Sequence, residues 1–194
     1  PLPPGVPQMP EPVLTVANQL TMLRMALVPA LVLLALDQQF EWALVVFVVA
    51  GLTDALDGYI ARHGHQQTTL GAMLDPIADK LLVGSTYAVM TWSSVVTCPM
   101  PLWLTVPLLF RDVMLVVGVL AVNLASGVHV FPPSVLGKVS TIINVATGGA
   151  ALLVNAAGEC PEGIRWLYLT TLALLIASTA QYVYLASERS PRRG

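Results

Sequence analysis

Six stretches of mostly apolar residues, each long enough to cross a bilayer as a helix, run through this chain and leave few folds open to it. A hydrocarbon layer about 30 Å thick takes roughly 20 such residues per helical crossing. The stretches are Leu20 to Leu36, Trp42 to Arg62, Leu70 to Ser93, Leu102 to Ala125, Ser134 to Ala156 and Trp166 to Ala186. Pro, Gly and polar residues break the chain between them, in DQQFE, RHGHQQTT, TCPMP, SGVHVFPP and GECPEG. The composition fits, with 56% hydrophobic and only 10% charged residues and a mean hydropathy of +0.74. Soluble domains hold roughly 45–50% apolar and 25% charged residues. The expected fold is all-α: a polytopic membrane protein with six transmembrane helices in one domain, residues 20–187.

The flanks are short. Residues 1–19 form a Pro-rich lead-in without the basic start and cleavage site of a signal peptide, and residues 188–194 a basic tail. Glu11 to Thr21 reads as a short amphipathic interfacial helix, with Asn18 and Thr21 facing headgroups. Arg62, Lys138, Arg189, Arg192 and Arg193 gather at one set of helix ends, whereas the other set carries Arg165 beside four acids. Cytoplasmic loops retain Lys and Arg, so both termini are expected in the cytoplasm of an integral membrane protein. Cys98 and Cys160 then share the outer side, which permits either a disulfide in an oxidising compartment or two separate thiols. A formal net charge of -2 without a basic patch gives no footprint for nucleic acid.

Ionisable groups inside spans are costly unless paired, hydrated or metal-bound, so their clustering points to function. TDALDGYIARHGHQQTTLGAMLDPIADK supplies Asp54 and Asp57 at the end of the second span, and Asp75 and Asp79 at the start of the third. Spacings of three and four residues put each pair on one helix face. Four carboxylates in a low-dielectric setting cannot all stay ionised without cations between them. Oxygen-only ligation suits Mg2+ or Mn2+, and no Cys or His spacing suggests zinc. His63 and His65 read as solvated loop residues. Gly58 and Ala61 leave a groove for a base or pyrophosphate, or serve close helix packing; Gly71 has the same two readings. Arg62 can hold a phosphate, and Lys80 either offsets charge beside Asp79 or snorkels to the headgroups.

From Asp54 to Asp79, the pattern of Asp54, Asp57, Gly58, Ala61, Arg62, Gly71, Asp75 and Asp79 resembles the signature of the CDP-alcohol phosphotransferase family. The six-span layout is also similar to that family. The resemblance implies a site for two divalent cations on Asp54, Asp57, Asp75 and Asp79, with Asp79 also acting as base. It implies CDP along Gly58, Ala61, Arg62 and Gly71, CDP-diacylglycerol as donor, a cytoplasm-facing site, and a homodimer. A compatible chemistry follows from the residues: cations neutralise the pyrophosphate and the departing CMP, while Asp79 takes the proton of the attacking hydroxyl.

Charged residues on later spans bear on the acceptor. Arg111 and Asp112 form either an internal charge pair or, through Arg111 with Lys138, a cationic pocket for a phosphate-bearing acceptor. NQLTMLR, LGAMLDPIADKLL, RDVMLV and GKVSTIIN are similar to the branch making anionic glycerophospholipids, and RDVML with the later Lys138 to Thr141 resembles cardiolipin synthases. Phosphatidylglycerol is the favoured acceptor on that likeness, and glycerol 3-phosphate the alternative. A metal-ion transporter is the rival from another class, but Arg62 beside the acids and the lack of acids along later spans disfavour an ion path.

Overall fold

The computed structural model describes residues 16–64, 69–92, 94, 96–126 and 135–189. Within its helices, the side chains of residues 16–18, 55, 57–64, 69–76, 119–126, 135, 183 and 185–189 are outside that description. Among the described residues the protein is all-helical, with α1 (Val16–Leu36), α2 (Phe40–Gly64), α3 (Thr69–Thr91), α4 (Leu102–Ser126), α5 (Val135–Ala156) and α6 (Ile164–Arg189). These match the apolar stretches, with ends displaced by a few residues. Most run further than the sequence suggested, because backbone hydrogen bonding continues past the last apolar side chain.

Local chemistry stops two of the helices sharply. Gln38 (φ 62°) and Gly158 (φ 69°) adopt the left-handed conformation just past α1 and α5. The Gln39 amide then donates to the Leu34 carbonyl at 2.8 Å, and the Glu159 amide to the Val154 carbonyl at 3.3 Å. These are Schellman closures, which satisfy carbonyls that a helix end would otherwise leave open. Residues Val16 to Thr21 belong to α1 rather than to a separate interfacial helix, and Thr21 is buried, not turned to headgroups. The lead-in through residue 15 and the tail from residue 190 lie outside the described residues.

Helix packing differs from simple chain order. α1 packs broadly on both α2 and α3, while α2 and α3 touch each other only narrowly among the described residues. α5 packs on α2, α3 and α6, and α4 on α3 and α6. Phe47 of α2 and Tyr87 of α3 lie within 3.6 Å of where Gly148 would place a Cβ, so the small residues at 148 and 149 serve contacts within the chain. Gly84 does the same against Leu109, whose Cδ2 would stand only 3.1 Å from a Cβ there.

Polar groups tie the helices together inside. The Tyr87 hydroxyl donates to the Asn144 carbonyl at 3.0 Å, joining α3 to α5. Thr91 donates its single proton to the Tyr87 carbonyl, so in the 2.6 Å pair with Thr105 the Thr105 hydroxyl is the donor. By the same reasoning Thr147 donates to Thr171 across 2.7 Å, since Thr171 donates to the Leu167 carbonyl. Large apolar side chains face outward, among them Leu33, Leu52, Phe110 and Ile142, each more than half exposed. With an apolar core inside as well, so many large apolar side chains on the outside exceed what a water-facing surface needs and suit a lipid surround. Two helices, over Gln19–Leu36 and Leu136–Ala156, meet the length and hydropathy of a membrane crossing among the described residues.

One end of the bundle is pinned covalently. Cys98 and Cys160 form a disulfide with a Cα–Cα distance of 5.2 Å, joining the α3–α4 and α5–α6 connections. Asn155 clamps the Cys98 backbone beside it, accepting from the Cys98 amide at 2.8 Å and donating to the Cys98 carbonyl at 3.1 Å. Trp42, Trp92, Trp103 and Trp166 sit exposed at helix ends on this same side.

Candidate active site

The carboxylate of Asp54, on α2, meets a cation from α1. Arg24 Nη1 lies 2.6 Å from Asp54 Oδ1, with the arginine side chain fully buried and the aspartate side chain 45% exposed. Antiparallel packing of α1 and α2 brings the two to the same level. An arginine inside a bundle is stable when its charge is answered, and Asp54 answers it. Arg24 was no part of the site expected from the sequence. A lone arginine in an apolar span was the available signal; its acidic partner was not.

Asp79 stands on α3 and is partly buried, close enough to Lys80, Asp54, Arg24 and Asp112 for their charges to act on it. Asp79 of α3 thus lies within electrostatic reach of Asp54 of α2. Lys80 Nζ is 3.3 Å from Asp112 Oδ1 on α4 and 3.9 Å from Asp79 Oδ2. Of its two sequence readings, charge compensation holds, chiefly toward Asp112.

Arg111 and Asp112 diverge although they are adjacent, because successive helical residues point about 100° apart. Asp112 faces α3 and Lys80. Arg111 lines a groove toward α6, with Nη1 3.9 Å from Asp112 Oδ1, and its Nε and Nη1 find no hydrogen-bond acceptor among the described residues. The closer partner of Asp112 is therefore Lys80. Lys138 is exposed near the start of α5, and α4 and α5 do not touch among the described residues, so Arg111 and Lys138 stand on separate helices.

The side chains of Asp57, Gly58, Ala61, Arg62, His63, Gly71 and Asp75 lie outside the described residues, as does all of His65. Among the described residues no group of three or more acids, histidines or cysteines forms a metal cage. Two of the four motif acids, Asp54 and Asp79, are in view.

The chain belongs to the CDP-alcohol phosphatidyltransferase family, whose model matches residues 14–183. It is 33% identical to cardiolipin synthase (CMP-forming) of Homo sapiens over 201 aligned residues, covering 94% of this chain and 65% of that protein. Cardiolipin synthase (CMP-forming) of Streptomyces coelicolor is 41% identical over 138 residues, 66% of this chain and 60% of that protein. CDP-diacylglycerol–glycerol-3-phosphate 3-phosphatidyltransferase of Cereibacter sphaeroides is 39% identical over 106 residues, 51% of this chain and 46% of that protein. The chain spans less than two thirds of the length of each of these relatives.

Proposed function

We propose that this protein transfers a phosphatidyl group from CDP-diacylglycerol to a glycerol-type acceptor, releasing CMP, and that phosphatidylglycerol is the acceptor. The observation that carries the reading is the shared setting of Asp54 and Asp79, acids from two motif helices, within a member of this family. The relatives named cardiolipin synthase support the choice of acceptor.

The donor set fits hard divalent cations: carboxylate oxygens only, carrying like charges on neighbouring helices. Asp54, Asp57, Asp75 and Asp79 would hold two such ions, Mg2+ or Mn2+, which when bound neutralise the pyrophosphate and the leaving CMP. Gly58, Ala61, Arg62 and Gly71 would bind the CDP moiety. Arg24 holds Asp54 in place against α1. Asp79 accepts the proton of the acceptor hydroxyl as its oxygen bonds to the β-phosphorus and the bond from that phosphorus to the CMP oxygen breaks. Arg111 and Lys138 would receive a phosphate of the acceptor, each from its own helix.

All six helices cross the membrane in this reading, supported by the outward apolar side chains and by the exposed tryptophans at one end, placed as an interfacial belt. The disulfide marks that end as the oxidising side. The acid motif lies toward the other end, so the site and both termini face the cytoplasm. Residues 20–187 make up the catalytic domain, between the lead-in 1–19 and the tail 188–194.

The test measures CMP release and lipid-product mass from purified protein with CDP-diacylglycerol and Mg2+ or Mn2+, with a chelator control. Cardiolipin formed with phosphatidylglycerol alone supports the reading. Phosphatidylglycerophosphate formed from glycerol 3-phosphate overturns the acceptor, and CMP release that no chelator suppresses overturns the metals.

A further inference from the structure

Between α4 and α6 runs a groove of about 750 Å³, walled chiefly by apolar side chains. Phe110, Met114 and Ile176 on its rim are each at least half exposed, so the groove is open sideways on the apolar outer surface. Its size is that of a small-molecule site, which generally combines apolar walls with a few placed polar groups. Here the placed group is Arg111, only 6% exposed, whose Nε and Nη1 donate to nothing among the described residues. The 3.9 Å approach to Asp112 is longer than a charge-assisted hydrogen bond, and Lys80 stands nearer that same oxygen, at 3.3 Å. A guanidinium left so in an apolar wall is costly unless an anion joins it.

We infer that the α4–α6 groove is the lateral docking site of the acceptor lipid, with an acyl chain along the groove and the lipid phosphate on Arg111. This rests on the proposed reaction and adds the acceptor's route of entry. Two properties select a lipid over a soluble phosphate ester. The apolar walls outweigh the polar groups, and a small polar ester would leave those walls uncovered. The opening lies on the surface that faces hydrocarbon, where a lipid arrives by lateral diffusion. Arg111, Asp112, Lys80 and Asp79 then form a line of adjacent charged side chains from the groove to the proposed base.

The test uses the full chain in phosphatidylcholine nanodiscs with phosphatidylglycerol bearing a photoreactive diazirine in its acyl chain. Adducts are mapped by peptide mass spectrometry, so the result does not depend on turnover. Labelling is expected on α4 and α6 near Met114 and Ile176, and unlabelled phosphatidylglycerol should suppress it. Ala180→Trp, which fills the groove from an exposed position, should cut that labelling at least five-fold at an unchanged melting temperature. In turnover it should raise KM for phosphatidylglycerol about ten-fold while leaving KM for CDP-diacylglycerol unaltered. Arg111→Gln should weaken labelling as well, with Arg111→Lys restoring part of it. Labelling spread over all exposed helices and insensitive to competitor overturns the inference, as does labelling of these positions by a photoreactive CDP-diacylglycerol but not by phosphatidylglycerol. Competed labelling without any CMP release would keep the docking site and reject the proposed reaction.

Discussion

Arg24 and Asp54 meet across the α1–α2 interface with Nη1 and Oδ1 2.6 Å apart, the arginine sealed from the surface and the aspartate half open. One face of the carboxylate is thereby fixed while the other stays accessible. Arg24→Gln should destabilise the protein by about 1.5–3 kcal/mol, the range for a hydrogen bond to a charged group, and by the lower part of it because Asp54 is partly hydrated. The loss should be larger in metal-free buffer than with saturating Mg2+, since a bound cation would take over part of the compensation. Thermal unfolding in detergent, with and without chelator, measures both. Equal losses in the two buffers would separate Arg24 from the cation site.

Asp79→Asn removes the proposed base and keeps an oxygen that can still ligate. Turnover should fall by about 10²–10⁴-fold, the usual contribution of general-base catalysis, with CDP-diacylglycerol binding largely retained. Rapid-quench CMP release and an equilibrium binding assay report the two quantities. Wild-type turnover in this variant would remove Asp79 from the base role.

Lys80 and Asp112 should behave as a coupled pair. Lys80→Met leaves the Asp112 carboxylate, only 5% exposed, with Arg111 at 3.9 Å as its remaining partner. A cost of about 3–5 kcal/mol is expected for breaking a buried pair from one side. The double change Lys80→Met with Asp112→Leu should recover much of it, and a double-mutant cycle on unfolding free energy gives the coupling. Strict additivity would mean that the two charges do not support each other.

At the pinned end, reducing the Cys98–Cys160 bond should cost about 2–4 kcal/mol, less where the membrane already confines the unfolded chain. Asn155→Ala should cost about 1–3 kcal/mol, because the buried Cys98 amide loses its acceptor. Melting curves with and without reductant test both effects. In the oxidised protein, an Asn155→Ala variant as stable as wild type would show that the clamp adds nothing to the covalent link.

Much of the fold was legible because long apolar helices follow a local rule, a length of apolar chain between polar breaks. Each helix appeared near its expected place for that reason. Thr21 was misread because a polar residue near a helix start looks the same whether it faces headgroups or, as here, a neighbouring helix. Arg111 and Asp112 were read together as neighbours in the chain, although the helix turns one toward α6 and the other toward α3.

By itself the sequence determined the all-helical class, the helix positions and the spacing of Asp54, Asp57, Asp75 and Asp79, since these depend on residues close together in the chain. Only the tertiary structure decided that Arg24 answers Asp54, that Lys80 turns to Asp112, that Cys98 pairs with Cys160, and that α1 packs broadly on both α2 and α3. Those outcomes depend on how each helix is rotated and which neighbour it packs against. Side chains far apart in sequence settle that jointly, by burying polar groups against partners that satisfy them.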